Sequence, residues 1–120
     1  MADTEDKRFD LEGRTLKFAR DVIQFTNALE RTFANIEIMK QLIRSSGSVG
    51  ANYIEANESL SKKDFAMRIK ICRKEAKESR YWLNLVQVNT ENLEKQKSIL
   101  INEATELTKI FGAIVEKCNS

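Results

Sequence analysis

The strongest constraint on the fold is a repeated spacing of apolar residues in three separate segments. The repeat advances in steps of four and three residues, which is the spacing of a helix side that faces a bundle core. In the first segment it runs through Leu11, Thr15, Phe18, Val22, Phe25 and Leu29. It recurs between Phe65 and Val86, and again between Leu100 and Cys118. The sequence therefore predicts several long amphipathic helices.

A further helical segment, about residues 34–59, is apolar on two faces, so we expect it to be the most buried helix. The two faces are formed by Ile36, Met39 and Ile43, and by Ile38, Leu42, Val49 and Tyr53. Residues 45–51 are rich in Ser and Gly, which have poor helix propensity, and a break there is the alternative. We favour a continuous helix because Ile43, Gly47 and Gly50 stay in register.

The composition agrees with an all-α chain. It has no proline and four glycines, which is unfavourable for the many tight turns of an all-β fold. Its 120 residues suffice for one core. We therefore predict an antiparallel up-down-up-down four-helix bundle. Its parts are a flexible acidic N-terminal tail at 1–9 and a single domain at 10–118, with helices at about 11–31, 34–59, 62–88 and 93–118.

Antiparallel packing of the second and third helices predicts one specific contact. Folding the chain about Leu60 brings Arg44 close to Ala76 and within reach of Glu75 and Glu78. We expect an interhelical ion pair from Arg44 to these carboxylates. The alternative is that Arg44 extends along the surface into solvent.

The residue types disfavour catalysis. Histidine is absent, which removes the commonest general base and metal ligand. Cys72 and Cys118 are far apart and have no CxxC or His partner, so they do not form a zinc site, and we interpret both as reduced core thiols. Pairs of glutamates occur without the Glu-x-x-His motif of di-metal bundles. We expect no enzyme activity, no catalytic residue, no metal and no cofactor.

The chain also has no apolar run near the roughly 20 residues that cross a bilayer. Its start is polar and lacks the features of a signal peptide. We expect a cytoplasmic protein with no membrane partner.

Charge is concentrated on the third predicted helix. Residues 62–80 contain eight basic and three acidic side chains. Six of the basic residues are predicted to form a stripe that binds phosphate backbones without reading sequence: Lys62, Lys63, Lys70, Arg73, Lys74 and Lys77. The alternative is a solvated helix face that acidic neighbours balance.

Several apolar residues lie outside the main repeats and are candidates for a subunit interface. These candidates are Tyr53, Tyr81, Trp82, Leu85, Ile101 and Val115. Tyr81 and Trp82 flank the repeat residue Leu83, and one helix cannot direct all three side chains into one core. One of the two aromatic residues is therefore expected to be exposed. The alternative for the whole set is a wide core.

Four blocks of residues resemble a known family. They are QLIRSSGSVGANYIEA at 41–56, SKKDF at 61–65, KEAKES at 74–79 and YWL at 81–83. They look like the four-helix-bundle proteins encoded in intervening sequences of bacterial 23S ribosomal RNA genes, over about residues 11–115. That family is similar to the accessory variability determinant proteins of diversity-generating retroelements, which form homopentamers and bind nucleic acid and a reverse transcriptase. The resemblance implies a homopentamer here.

Two functions follow as hypotheses. The first is a non-enzymatic oligomeric protein that associates with RNA or DNA through its basic third helix. The alternative is a protein-interaction scaffold, an oligomeric accessory subunit that does not bind nucleic acid.

Overall fold

The computed structural model describes residues 10–119 of the chain. It contains four helices, α1 (Leu11–Asn27), α2 (Phe33–Asn57), α3 (Lys62–Leu85) and α4 (Glu91–Cys118). Each helix packs against the next one along the chain, and α1 also packs against α4, so that the four enclose one core. This arrangement confirms the all-α four-helix bundle. The tail predicted at 1–9 lies outside the described residues.

Each helix begins at a residue whose side chain accepts a hydrogen bond from the backbone three positions later. Asp10, Thr32, Ser61 and Thr90 are these N-caps. Such a cap satisfies one of the backbone N–H groups that the first turn leaves without a partner. The four caps therefore define where the helices start.

Two helices end earlier than predicted. Helix α1 ends at Asn27 rather than near residue 31, and the Arg31 guanidinium donates to the carbonyl oxygens of Thr26, Asn27 and Leu29. Helix α3 ends at Leu85 rather than near 88, and Lys97 Nζ on α4 donates to the Val86 carbonyl at 3.1 Å. Cations outside each helix thus donate hydrogen bonds to carbonyl groups at and just beyond its C-terminal end.

The core is built from all four helices. Its largest fully buried side chains include Phe18, Phe25, Leu42, Ile69, Leu83, Leu107 and Phe111. Cys72 is also buried, and burial raises the pKa of its thiol to about 12. Cys118 is exposed, so its interpretation as a core thiol is wrong, because it lies in the last turn of α4 at the end of the bundle.

Helix α2 continues without a break through residues 45–51, and small side chains bring its neighbours close. A Cβ on Gly50 would lie 2.9 Å from Thr15 Oγ1 on α1. On the α3 side, Ser79 Oγ donates to the buried Ser45 Oγ at 3.0 Å. The expectation that α2 is the most buried helix is wrong, however. Ile36 and Ile43, on one of its two apolar faces, are 37% and 42% exposed.

At one end of the bundle, Asn35 joins the α1–α2 connection to the α3–α4 connection. Its buried side chain donates from Nδ2 to the Glu30 and Gln87 carbonyls, and its Oδ1 accepts from the Gln87 N–H at 2.9 Å. Since a buried amide must satisfy its hydrogen bonds, this contact fixes how the two connections meet. No helix in residues 10–119 is long and apolar enough to cross a membrane.

Candidate nucleic-acid interface

The basic residues of α3 fall on one side of the helix. Successive residues are about 100° apart around a helix axis, so seven cations lie within about 120° of the circumference. We call this surface the basic face, and it comprises Lys62, Lys63, Lys70, Arg73, Lys74, Lys77 and Arg80. Asp64, Glu75 and Glu78 lie outside that sector. The structure thus adds Arg80 to the six residues predicted from the sequence. Arg80 was already one of the eight basic residues counted over 62–80, so the sequence could have identified it.

The side chains of the basic face are accessible to a ligand. Its five lysines and Arg80 are exposed, and Arg73 is half-buried. Arg73 lies beside α4, where its Cδ is 3.7 Å from the position that a Cβ on Gly112 would occupy. Glycine at this position leaves room for the Arg73 side chain along the edge of α4.

No residue of the basic face has a carboxylate within 4.0 Å among residues 10–119. Some cations elsewhere on the surface do have such partners. Arg14 lies 2.7 Å from Glu103, and Lys17 lies 2.7 Å from Asp21. The pKa values of Arg14 and Lys17 are both raised, in each case chiefly by the hydrogen bond to the carboxylate. The basic face therefore collects on one side of α3 seven cations that have no such partner in the described part of the chain.

The two nearest acidic residues of α3 are engaged by α2 instead. Arg44 Nη1 lies 3.3 Å from Glu75 Oε1, and Arg44 Nη2 pairs with Glu78 Oε2. Trp82 Nε1 also donates to Glu78 Oε2, at 3.0 Å. Glu75 is only 7% exposed, so its charge depends on Arg44 for a partner. The structure thus brings together the three residues of the predicted ion pair.

The six residues proposed for a subunit interface divide into three groups by exposure. Val115 is 4% exposed, so its assignment to an interface is wrong, because its side of α4 turns into the core. Tyr53 and Ile101 are half-buried and pack on the core, and the Tyr53 ring centroid is 5.9 Å from that of Phe111. Trp82 is half-buried too. Only Tyr81 and Leu85 are well exposed, at 58% and 44%.

A second surface was missed by the sequence reasoning. We call it the apolar face, and it consists of Leu16, Ile23, Ile36, Ile43 and Ile54, which are 37% to 53% exposed. Because α1 and α2 run antiparallel with Thr15 against Gly50, Leu16 and Ile23 lie alongside the part of α2 that carries Ile43. The pattern of Ile36 and Ile43 was visible in the sequence, but periodicity alone does not show which of two apolar faces is buried.

Within residues 10–119, no three His, Cys, Asp or Glu side chains come together as a metal site requires. The two surfaces that stand out are the basic face and the apolar face, on different sides of the bundle.

Comparisons with known proteins agree with this architecture. The chain aligns with the crystal structure of a protein of unknown function from the S23 ribosomal protein family of Bacteroides thetaiotaomicron, with a TM-score of 0.76 and 31% identity. The alignment covers 87% of this chain and 96% of that one. No curated protein matches the chain. The sequence profile of the 23S rRNA-intervening sequence proteins matches residues 8–113. The chain belongs to the 23S rRNA-intervening sequence protein family.

Proposed function

We propose that the protein is a non-enzymatic, cytoplasmic and oligomeric nucleic-acid-associated protein, whose basic face contacts the backbone of RNA or DNA. One observation carries the proposal. Seven cations share one side of α3, and none has a carboxylate within 4.0 Å in the described part of the chain. The proposal requires no cofactor.

The dimensions of the basic face suit a polyanion. From Lys62 to Arg80 it extends about 27 Å along the helix axis, a length over which one strand of a duplex carries about eight phosphates. Several lysines can therefore contact phosphates at the same time. Each contact releases condensed counterions, and this release drives sequence-independent binding. Because these cations have no carboxylate partner among residues 10–119, binding breaks no ion pair within that part of the protein.

The family connection makes RNA the first nucleic acid to test, since the family name refers to intervening sequences of 23S rRNA. The resemblance noted in the sequence adds a homopentamer to the proposal. The apolar face supports self-association, because monomers rarely leave a contiguous group of large aliphatic side chains in water. A second copy of the chain would remove this surface from water and repeat the basic face around a closed assembly.

The decisive experiment measures binding of a fluorescent 20-nucleotide RNA as a function of salt. With four phosphates contacted, we expect roughly a 50-fold loss of affinity between 50 and 200 mM salt. Reversal of Lys70, Arg73, Lys74 and Lys77 to glutamate should abolish binding. A matched control reverses four basic residues elsewhere on the surface, Arg20, Lys40, Lys95 and Lys109. Equal effects of the two variants, or no binding by the native protein at 50 mM salt, would contradict the proposal.

A second candidate function is a protein-interaction scaffold that binds no nucleic acid. The apolar face favours it, since exposed aliphatic surface serves a protein partner as well as a second copy. Light scattering with and without the RNA separates the two functions. An oligomer whose mass does not change with RNA supports the scaffold, and a monomer that binds no RNA argues against both.

A further inference from the structure

We infer that Tyr81 forms a stacking subsite for an unpaired nucleobase at one end of the basic face, so that the protein prefers single-stranded to duplex nucleic acid. This inference rests on the proposed function, and it adds the class of nucleic acid that the basic face selects.

The position of Tyr81 in the row of cations is the first support. Tyr81 follows Lys63 by 18 residues, which is five complete turns, so both side chains leave the helix in the same direction. Lys77 and Lys74 precede Tyr81 by about one and two turns, which places them about 6 and 10.5 Å back along the axis. A strand that follows these lysines therefore reaches the Tyr81 ring.

The exposure of the ring is the second support. Tyr81 is 58% exposed, although a large aromatic side chain gains free energy when it is covered. The other strongly exposed aromatic residue described, Phe33, is 86% exposed but belongs to the first turn of α2 and not to α3. Among the aromatic residues of α3, Tyr81 has the exposed ring, and it follows the lysines of the basic face.

The Tyr81 ring is also held in place by contacts with neighbouring residues. Tyr81 contacts Trp82 edge to face, with ring centroids 5.1 Å apart and an interplanar angle of 74°. Trp82 donates to Glu78, and Arg44 of α2 binds the same carboxylate. Because these contacts restrict the rotamers of the two aromatic rings, a base that stacks on Tyr81 loses less conformational entropy on binding.

The chemistry of the ring determines the kind of strand. Lysines contact phosphates of single strands and duplexes alike, whereas a base can stack on an aromatic side chain only when it is free of its own stack. Duplex RNA keeps its bases stacked on one another, so along its length it offers no free base face to Tyr81. A single strand offers a base to Tyr81 and phosphates to Lys74 and Lys77 together.

The test compares Tyr81→Ala and Tyr81→Phe with the native protein, using a labelled 12-nucleotide adenine-rich RNA and a blunt 12-base-pair RNA duplex. We expect Tyr81→Ala to weaken single-strand binding about 10-fold and duplex binding less than 2-fold. Tyr81→Phe should keep the native affinity, because it keeps the stacking surface. Leu85→Ala is the matched control, since Leu85 is 44% exposed one turn further along α3 but offers no aromatic ring.

A second readout comes from Trp82, the single tryptophan of the chain. Its fluorescence should change when the single strand binds and should not change with the duplex. Single-strand binding that survives Tyr81→Ala, or equal losses on both probes, would overturn the stacking subsite and leave the basic face intact. Failure of the native protein to bind either probe would overturn the subsite and the proposed function together. A changed subunit count in Tyr81→Ala would assign the ring to a protein interface and overturn the subsite.

Discussion

The basic face and the apolar face are both regular rows on helices, yet only the first could be found from the sequence. Lysines on α3 lie outside the core repeat, and a charged side chain without a buried partner belongs in water. The isoleucine side chains of α2, by contrast, can lie either in a core or on a surface. The difference shows that periodicity identifies which residues share a face of a helix. Only the chemistry of those residues indicates whether that face points into the core or into solvent.

The orientation of α2 has a physical cause at its two contacts. Gly50 meets α1, and Ser45 meets Ser79 of α3. Small side chains at both contacts allow the backbones to approach closely, and larger side chains there would hold the helices apart. The larger residues Ile36, Ile43 and Ile54 are consequently turned toward the surface. The apolar face is thus a consequence of the close packing inside the bundle.

The largest expected effect comes from mutating the apolar face while leaving the basic face unchanged. The double variant Ile43→Lys and Ile54→Lys should dissociate the proposed oligomer, because an interface between copies would have to bury two new charges. RNA affinity should then fall about 100-fold as several basic faces cease to act together. The added positive charge by itself favours RNA, so any loss reflects dissociation. Light scattering and fluorescence anisotropy measure the two effects.

The control for this pair is Leu60→Lys with Ile99→Lys. Both residues are exposed, at 99% and 65%, and neither belongs to the apolar face. The control should keep the native subunit count. If the Ile43 and Ile54 variant also keeps it, the apolar face is not the interface between copies.

Two glycine substitutions compare a packed position and an open position of α2. Gly50→Ala should lower the free energy of unfolding by about 1–2 kcal/mol, because the new methyl group would overlap the β-branched Thr15. Thr15 cannot easily move, since its Oγ1 donates to the Leu11 carbonyl at 2.7 Å. A Cβ on Gly47, by contrast, would meet no neighbouring side chain or helix within 4 Å. Gly47→Ala should therefore raise the free energy of unfolding by up to about 1 kcal/mol through helix propensity.

Urea unfolding monitored by circular dichroism measures both variants at a fixed protein concentration. Destabilisation by Gly47→Ala would mean that another copy of the chain packs against this part of the apolar face. Such a result would place Gly47 in the interface and refine its boundary.

A smaller effect is expected at the contact that keeps acidic charge away from the basic face. Arg44→Met should lower the free energy of unfolding by about 1 kcal/mol, because Glu75 would remain largely buried without its partner. The control is Lys40→Met, whose pair with Glu37 is well exposed on both sides and should contribute less than about 0.5 kcal/mol. Equal changes in the urea midpoint would show that Arg44 stabilises no more than a surface pair.

The sequence predicted those features that depend on regular spacing. The heptads predicted four helices, and the charges predicted most of the basic face. The antiparallel register about Leu60 also implies the contact between Arg44 and Glu75. The missed features depend on contacts between residues far apart in the chain. Lys97 of α4 contacts the Val86 carbonyl just beyond the end of α3, and the packing around Gly50 turns Ile43 outward. No local pattern encodes either contact.

The smallest expected effect tests how firmly the buried side of α3 is held in the core. Cys72 lies on the buried side of α3, and burial raises its pKa to about 12 from the ordinary value of 9.0. Iodoacetamide at pH 8 should therefore modify one thiol per chain, the exposed Cys118, and reach Cys72 only in urea. Rapid modification of both thiols in the native state, measured by mass spectrometry, would mean that α3 separates readily from the core.

The raised pKa of Cys72 also predicts how the free energy of unfolding depends on pH. The unfolded chain releases the thiol proton at lower pH than the folded one, so this group should reduce stability progressively as the pH rises above about 9.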